Sequence, residues 1–167
     1  IAVLEQVSNS SVDLGIGTVP EDDTELMGTR LTTDEFLIVL HPEDPLVRLR
    51  EIRWTDLVDR KLIGPHRGNP IRDRLESELA RNGIVLPFDK AMQEVALPLT
   101  IIGMVEGGLG VAIMTSAVTR LATSMGLVVR TPTEPHIKRE VSLIQKRTRS
   151  LSPAARRFRD FLLKSVH

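Results

Sequence analysis

The sequence predicts an α/β fold, and two patterns indicate it. Short apolar segments of strand length alternate along the chain with segments that carry helix-capping residues. Apolar residues make up 41% of the 167 residues, which is enough for the core of one domain or of two small lobes. Strands that alternate with helices predict a largely parallel sheet. No apolar run reaches the roughly 18 residues of a membrane-spanning helix.

Strands are expected where a short apolar run is bounded by turn-forming residues. Such runs lie at residues 1–4, 12–17, 35–40, 61–64, 111–114, 127–129 and 140–145. Helical segments are expected at residues 53–57, 70–82, 99–106 and 115–122, and from residue 153 onwards. Thr115 and Ser152 are the expected caps of the last two.

The helix that begins at Pro70 has the clearest boundaries. Asn69 can cap it, Pro70 suits the first helical position, and Gly83 suits the left-handed residue that ends a helix. Its apolar stripe is formed by residues spaced four apart, namely Ile71, Leu75 and Leu79. The last helix has an apolar face formed by Phe158, Phe161 and Leu162.

Charge and composition argue against several function classes. The 22 Lys and Arg residues balance 22 Asp and Glu residues, so the chain lacks the basic excess of a nucleic-acid-binding domain. It has no cysteine, and its four histidines (His41, His66, His136 and His167) are not at metal-ligand spacing. No nucleophile–base set or cofactor motif is present. Neither a metal, a cofactor nor catalysis is therefore expected.

Residues 66–69 are the candidate binding loop. His66, Arg67, Gly68 and Asn69 precede the start of a predicted helix, where backbone N–H groups and the helix dipole suit an anion. The guanidinium of Arg67 would strengthen such a site. An ordinary solvated strand-to-helix loop explains these residues equally well, so both interpretations stay open.

Two further segments favour a structural interpretation over a functional one. The glycines of residues 106–111 close a predicted helix and lead into a strand, whereas a dinucleotide fingerprint follows a strand and opens a helix. We therefore interpret them as a tight helix-to-strand turn. Thr100 lies at the start of an apolar helix, and capping that helix is preferred to contacting a ligand.

Five short motifs follow one another along almost the whole chain. They are Asp-Leu-Gly-Ile-Gly within residues 12–17, an apolar strand and His-Pro within 37–46, Trp-Thr-Asp-Leu at 54–57, Gly-Leu-Gly-Val-Ala within 104–112 and Leu-Ser-Pro-Ala-Ala within 151–158. In this order they resemble the effector-binding domain of LysR-type bacterial transcriptional regulators. Each match alone is weak, and the five together are specific.

The resemblance implies a type II periplasmic-binding-protein-like fold, in which two α/β lobes are joined by two crossing strands. Lobe I would comprise residues 1–31 and 135–167, and lobe II residues 32–134. A small effector, which Arg67 and nearby polar groups suggest is an anion, would bind in the cleft. The family's DNA-binding winged helix would lie outside this chain, in a cytoplasmic protein that forms homodimers or tetramers.

Matching segment to segment implies a set of ligand-binding residues. They are Ser8 after the first strand, Thr18 at the first strand crossing, the loop and helix start containing Pro65, His66, Arg67, Gly68, Asn69 and Ile71, and Thr100 at the entrance to a second-lobe helix. The sequence departs from the family pattern before residue 12. The family domain begins with an earlier strand and helix, and residues 7–12 are too few for the usual two-turn helix at about 1.5 Å per residue. Missing residues are therefore expected there, at the position of Ser8.

Two other function classes remain as alternatives. An exported solute-binding protein of a transport system would share the fold, and the fold alone does not separate it from a regulator. The sequence upstream of residue 1 would separate them, because one class has a winged helix there and the other a signal peptide. An enzyme on this fold is the third class, and the lack of a catalytic set argues against it. The regulator is preferred because the terminal helix resembles that family.

Overall fold

The computed structural model describes residues 2–20 and 23–166, in two compact units. Unit 1 is formed by Ile1–Asp34 and Arg139–His167, and unit 2 by Glu35–Lys138. The helices are α1 (Ala2–Ser8), α2 (Pro70–Arg81), α3 (Phe88–Ala91), α4 (Pro98–Glu106), α5 (Thr119–Ser124) and α6 (Pro153–Ser165). The strands are β1 (Gly15–Gly17), β2 (Leu26–Leu40), β3 (Leu62–Gly64), β4 (Met92–Glu94), β5 (Val111–Thr115), β6 (Val128–Arg130) and β7 (Lys138–Lys146). Short 3₁₀ turns lie at Pro45–Arg48, Trp54–Leu57 and Ser116–Val118.

The chain passes between the two units within β2 and again within β7. In unit 1, β7 lies between β1 and the first part of β2. β1 pairs with β7 antiparallel, from Gly15↔Ile144 to Gly17↔Ser142. β2 begins well before the strand expected at residues 35–40. Apart from the buried Leu26, its first half is mostly polar or exposed and gives no continuous apolar signal.

The first described element is a helix, so the expectation of a strand at residues 1–4 is wrong. Val3 and Val7 lie one turn apart on α1, and a Cβ added to Gly15 would lie 2.6 Å from Val3 Cγ1 and 3.0 Å from Val7 Cγ2. A four-residue apolar run does not distinguish helix from strand. The packing of Val3 and Val7 against Gly15 of β1 fits a helix, because both side chains lie on the same face. α1 ends at Ser8 and residues 9–14 connect it to β1, so a helix and not a strand precedes this connection. The expectation of missing residues within 7–12 stays a prediction.

The sheet of unit 2 is mixed, with the strand order β6-β2-β5-β3-β4. β3 is parallel to β4 and β5, whereas β2 is antiparallel to β5 and β6. Helices connect β3 to β4 and β4 to β5, so the chain returns to the same end of the sheet before each strand begins and the strands run parallel. No helical crossover of this kind separates β2 from β3. The expectation of a largely parallel sheet therefore holds for β4-β3-β5 and fails for β2 and for β1 with β7.

Apolar side chains cover both faces of the unit 2 sheet. Along β2, Phe36, Ile38 and Leu40 face one buried cluster and Val39 faces the other, as the two-residue period of a strand requires. The first cluster includes side chains of α2 and of the turn Trp54–Leu57. The second includes side chains of α4 and α5. Unit 2 thus has helices on both sides of its sheet.

The expected boundaries of α2 are confirmed. The Asn69 side chain accepts a hydrogen bond from the Ile71 N–H at 2.9 Å, Pro70 is the first helical residue, and Gly83 has a φ of +72°. The cap of α6 is also confirmed, because Ser152 Oγ accepts from the Ala155 N–H at 3.2 Å.

Thr115 is not a capping residue in the sense expected. It ends β5 and its side chain makes no capping hydrogen bond; a 3₁₀ turn follows, and the helix α5 begins only at Thr119. The glycine-rich segment after α4 is confirmed as a turn, in which Gly108 has a φ of +69°. A Cβ on Gly110 would lie 2.5 Å from the Lys61 carbonyl oxygen, so only glycine fits there without a shift.

Candidate functional site

Two loops of unit 2 lie side by side at the carboxyl ends of its parallel strands. β3 and β4 are in register from Leu62↔Met92 to Gly64↔Glu94. The loops that follow are tied together, because the Val95 N–H donates to the Gly64 carbonyl at 2.9 Å. The first loop contains residues 65–69 and the second leads into α4. Ligands of α/β proteins bind most often at this edge of a sheet.

The loop of residues 65–69 is held by its own hydrogen bonds. His66 Nδ1 donates to the Arg67 carbonyl at 2.7 Å, and the Asn69 N–H donates to the His66 carbonyl at 3.1 Å. Gly68 has a φ of +79°, which side-chain-bearing residues rarely adopt. His66 and Arg67 are exposed, whereas Pro65 and Asn69 are partly buried. The loop therefore presents two basic side chains to solvent from a defined backbone.

Arg72, on the first turn of α2, is the centre of an ion cluster beneath this loop. Its side chain is 1% exposed, and three carboxylates surround it. Nε donates to Glu76 at 2.6 Å, Nη1 donates to Glu94 at 2.6 Å, and Nη2 donates to Asp89 at 3.3 Å. The guanidinium also lies 5.6 Å from the ring centre of Phe88. Arg72 thereby joins α2, α3 and β4 into one framework.

Arg67 adds a second guanidinium to the cluster. It forms an ion pair with Asp89, in which the Arg67 side chain is 71% exposed and the Asp89 side chain is 65% exposed. The Arg67 N–H also donates to Glu94 Oε1 at 3.3 Å. Asp89 and Glu94 each contact both arginines, so the loop of residues 65–69 and the cluster around Arg72 share these two carboxylates.

The ion pairs shift the pKa values of their members in the directions that stabilise charge. The hydrogen bond from Arg67 holds the pKa of Asp89 below its ordinary value, and the hydrogen bond from Arg72 does the same for Glu94. The hydrogen bond to Asp89 raises the pKa of Arg67. Burial lowers the pKa of Arg72, but its hydrogen bonds to Glu76 and Glu94 outweigh that effect and the net shift is upward.

Thr100 lies on the same edge of unit 2 as the binding loop. It is an exposed residue in the first turn of α4, whose N-cap is Leu97 and whose first residue is Pro98. The expectation that Thr100 caps this helix is therefore wrong. Its exposed position keeps the alternative, contact with a ligand, as a prediction.

Ser8 and Thr18 lie in unit 1. Ser8 is the last residue of α1, and its hydroxyl donates to Glu25 at 2.6 Å. The position after a first strand, from which its binding role was inferred, is not where the structure puts it. Thr18 follows β1 and its hydroxyl donates to the Glu140 carbonyl at 2.9 Å. A role in binding stays a prediction for both residues.

A polar cavity lies at the opposite edge of the same sheet. Its volume is about 810 Å³, and its lining includes His41, Lys61 and the glycine turn before β5. It faces the amino ends of β3 and β5, away from the loop of residues 65–69. Among residues 2–20 and 23–166 no group of three or more His, Asp or Glu side chains could hold a metal ion. No helix in the same part of the chain is long and apolar enough to cross a membrane.

Comparison with known proteins decides the family. The model of the LysR substrate binding domain matches residues 1–166. The chain belongs to this family. The resemblance carried by the five sequence motifs is therefore confirmed across almost the whole chain.

The curated relatives of this LysR domain are transcriptional regulators. One is the uncharacterized HTH-type transcriptional regulator YfeR of Shigella flexneri, which is 29% identical over 153 residues, covering 92% of this chain and 48% of that protein. The chain spans about half the length of the curated relatives it matches.

Solved structures confirm the fold. The effector binding domain of QuiR, in complex with shikimate, matches with a TM-score of 0.83 and 23% identity over 98% of this chain and 76% of that chain. The regulatory domain of CcmR from Synechocystis PCC6803, in complex with 2-PG, matches with a TM-score of 0.85 and 18% identity over 99% of this chain and 78% of that chain. The type II periplasmic-binding-protein-like fold, with two lobes joined by two strands, is thus confirmed.

Proposed function

We propose that this chain senses a small anionic effector on behalf of a LysR-type transcriptional regulator. The observation that carries the proposal is the edge of unit 2, where the loop of residues 65–69 and the start of α4 leave adjacent parallel strands. Family membership supports a ligand-sensing role for the chain. The chemistry of the loop supports an anion, because Arg67 is exposed next to the N-terminus of a 12-residue helix.

Regulation by such a site requires an effector that binds one conformation of the regulator more tightly than another. The two units joined by β2 and β7 would correspond to lobes I and II, and effector binding would shift their equilibrium. DNA would be bound by a segment outside this chain, since the charge balance here is zero. The working protein would be a cytoplasmic homodimer or tetramer that performs no catalysis.

The transport-protein alternative is disfavoured. The curated relatives are named as transcriptional regulators, and the structural neighbours QuiR and CcmR are described as effector-binding and regulatory domains. QuiR was solved with shikimate and CcmR with 2-PG. These two compounds are therefore the first probes for this chain, ahead of a wider panel of carboxylates.

A thermal-unfolding scan against this panel tests the proposal. An effector present at about 100 times its Kd should stabilise the domain by about 2.7 kcal/mol, which is an easily measured rise in Tm. Arg67→Gln and Thr100→Ala should each weaken binding of the same compound without lowering the Tm of the free protein, because both side chains are exposed. If a compound stabilises the wild type and both variants equally, the effector site does not lie at this edge of unit 2. A flat panel, with the full-length protein as well, would reject small-molecule sensing.

A further inference from the structure

We propose that Asp89 is an internal competitor of the anionic effector: it occupies Arg67 until the effector displaces it, and it sets the affinity of the loop for anions. This inference rests on the proposed function, because it assumes that the loop of residues 65–69 binds the effector. It adds a residue that lies outside that loop and that neither the five motifs nor the helix signals identify. It also assigns the site a selectivity rule.

The pair formed by Arg67 and Asp89 has the properties of a displaceable contact. Both side chains are more than half exposed, at 71% and 65%, so an anion from solvent can reach the guanidinium. Exposed ion pairs of this kind contribute little to stability and exchange readily with solvent. An effector carboxylate at Arg67 would therefore replace one weak ion pair by another, at little cost in stability.

Asp89 has a second arginine to hold it when Arg67 is taken. The Arg72 Nη2 donates to Asp89 Oδ1 at 3.3 Å, and Arg72 is fixed by burial and by its hydrogen bonds to Glu76 and Glu94. Release of Arg67 thus leaves the Asp89 carboxylate paired rather than isolated. This arrangement lowers the cost of displacement, because the contacts of Arg72 with Glu76 and Glu94 do not have to change.

The charge count explains why Asp89 limits anion binding. Two guanidinium groups, Arg67 and Arg72, face the three carboxylates of Glu76, Asp89 and Glu94, so these five groups carry one net negative charge. An incoming anion meets both a competitor at Arg67 and repulsion from the remaining carboxylates. Neutralising Asp89 removes the competitor and the excess charge together.

Inorganic sulfate is the probe that tests the proposal without a known effector. Sulfate is titrated at constant ionic strength while the Arg67 and Gly68 NMR signals are followed in wild type, Asp89→Asn and Asp73→Asn. Asp73 is the matched control, because it is an exposed carboxylate on the first turn of α2 and its change alters the net charge equally. We expect Asp89→Asn to bind sulfate about two to five times more tightly than wild type, as the worth of exposed ion pairs suggests. Asp73→Asn should stay near the wild-type value.

Two further variants keep the test decisive. Asp89→Ala should give the same gain as Asp89→Asn, because loss of the charge is what matters. Adding Arg67→Gln to Asp89→Asn should remove the gain. Equal sulfate affinities in Asp89→Asn and Asp73→Asn, or no sulfate response in any protein, would overturn the role of Asp89. If sulfate gives no support for Asp89 but a metabolite of the panel binds the wild type, only the role of Asp89 is rejected and ligand sensing stands. If sulfate behaves as expected but no metabolite of the panel binds, the sensing proposal is rejected and the role of Asp89 stands.

Discussion

The two units of the molecule differ in how much core they contain. Unit 2 has a buried apolar cluster on each face of its sheet, whereas the cluster in the described part of unit 1 consists of Val7, Leu26 and Ile144 with a few partly buried neighbours. Helix α6 shows the same contrast, because none of its described side chains is buried although it is 13 residues long. Stability in this chain is therefore concentrated in unit 2, under the loops proposed to bind the effector.

The largest expected effect comes from the core of unit 2. Trp54 is fully buried, and its indole N–H donates to the Pro135 carbonyl at 2.9 Å. Trp54→Ala should lower the free energy of unfolding by about 3–5 kcal/mol, from the cavity and the lost hydrogen bond. Phe161→Ala in α6 is the control, since that ring is 65% exposed and its loss should change stability by less than about 0.5 kcal/mol. Chemical denaturation measures both, and similar losses would refute the comparison.

The second prediction compares the stability lost when an ion pair is broken in each unit. In unit 1, Arg139 donates two hydrogen bonds to Asp34, at 3.1 and 2.8 Å, and the Asp34 side chain is 6% exposed. Arg139→Met should cost about 3 kcal/mol, because a buried carboxylate loses its guanidinium. Arg72→Met should cost only about 1 kcal/mol, because the carboxylates around Arg72 are 40% or more exposed and water can solvate them. The reverse order in urea denaturation would mean that burial of the carboxylate does not decide the cost.

A third test concerns the backbone around the unit 2 sheet. Gly110→Ala should cost about 2 kcal/mol, because the new Cβ would lie 2.5 Å from the Lys61 carbonyl oxygen and the turn would have to shift. Gly103→Ala on α4 should stabilise by about 0.5–1 kcal/mol, since nothing lies within 4 Å of the added Cβ and alanine favours the helix. Opposite signs of the change in Tm are expected. A harmless Gly110→Ala would show that this turn is loosely packed.

The smallest effect is on acid stability. The pKa values of Asp89 and Glu94 are lowered in the folded protein, so their ion pairs stabilise it above the ordinary carboxyl pKa of about 4 and that contribution is lost as pH falls through the lowered values. The double variant Asp89→Asn, Glu94→Gln should therefore lose less stability than wild type between pH 5 and pH 3, in denaturation curves at each pH. Parallel curves would indicate that these exposed pairs contribute nothing measurable.

The elements that could be predicted from sequence are those with local signals. α2 was predictable because Asn69, Pro70 and Gly83 fix its ends through contacts within a few residues. α1 was not, because a short apolar run fits a helix and a strand equally and its packing against Gly15 is a tertiary contact. The first half of β2 was missed for the opposite reason, since its polar residues owe their strand conformation to pairing and not to burial.

In the candidate site, too, only the features with local sequence signals could be predicted. The loop of residues 65–69 was predictable from its place before a helix, but its carboxylates were not, because Asp89 and Glu94 lie 17 and 22 residues from Arg72. One signal was available. Arg72 lies three and seven positions before Leu75 and Leu79, on the buried face of α2, and an arginine on a buried face needs carboxylate partners. Glu76, one turn away, was the partner within reach of sequence reasoning.

The most direct test of the central claim is amide hydrogen exchange with and without a compound that raises the Tm. The loops at the carboxyl edge of unit 2 should gain protection, at residues 65–71 and 97–100, if they hold the effector. Protection gained instead at residues 41–44 and 106–111, which line the cavity at the opposite edge, would contradict the account and move the sensing site there.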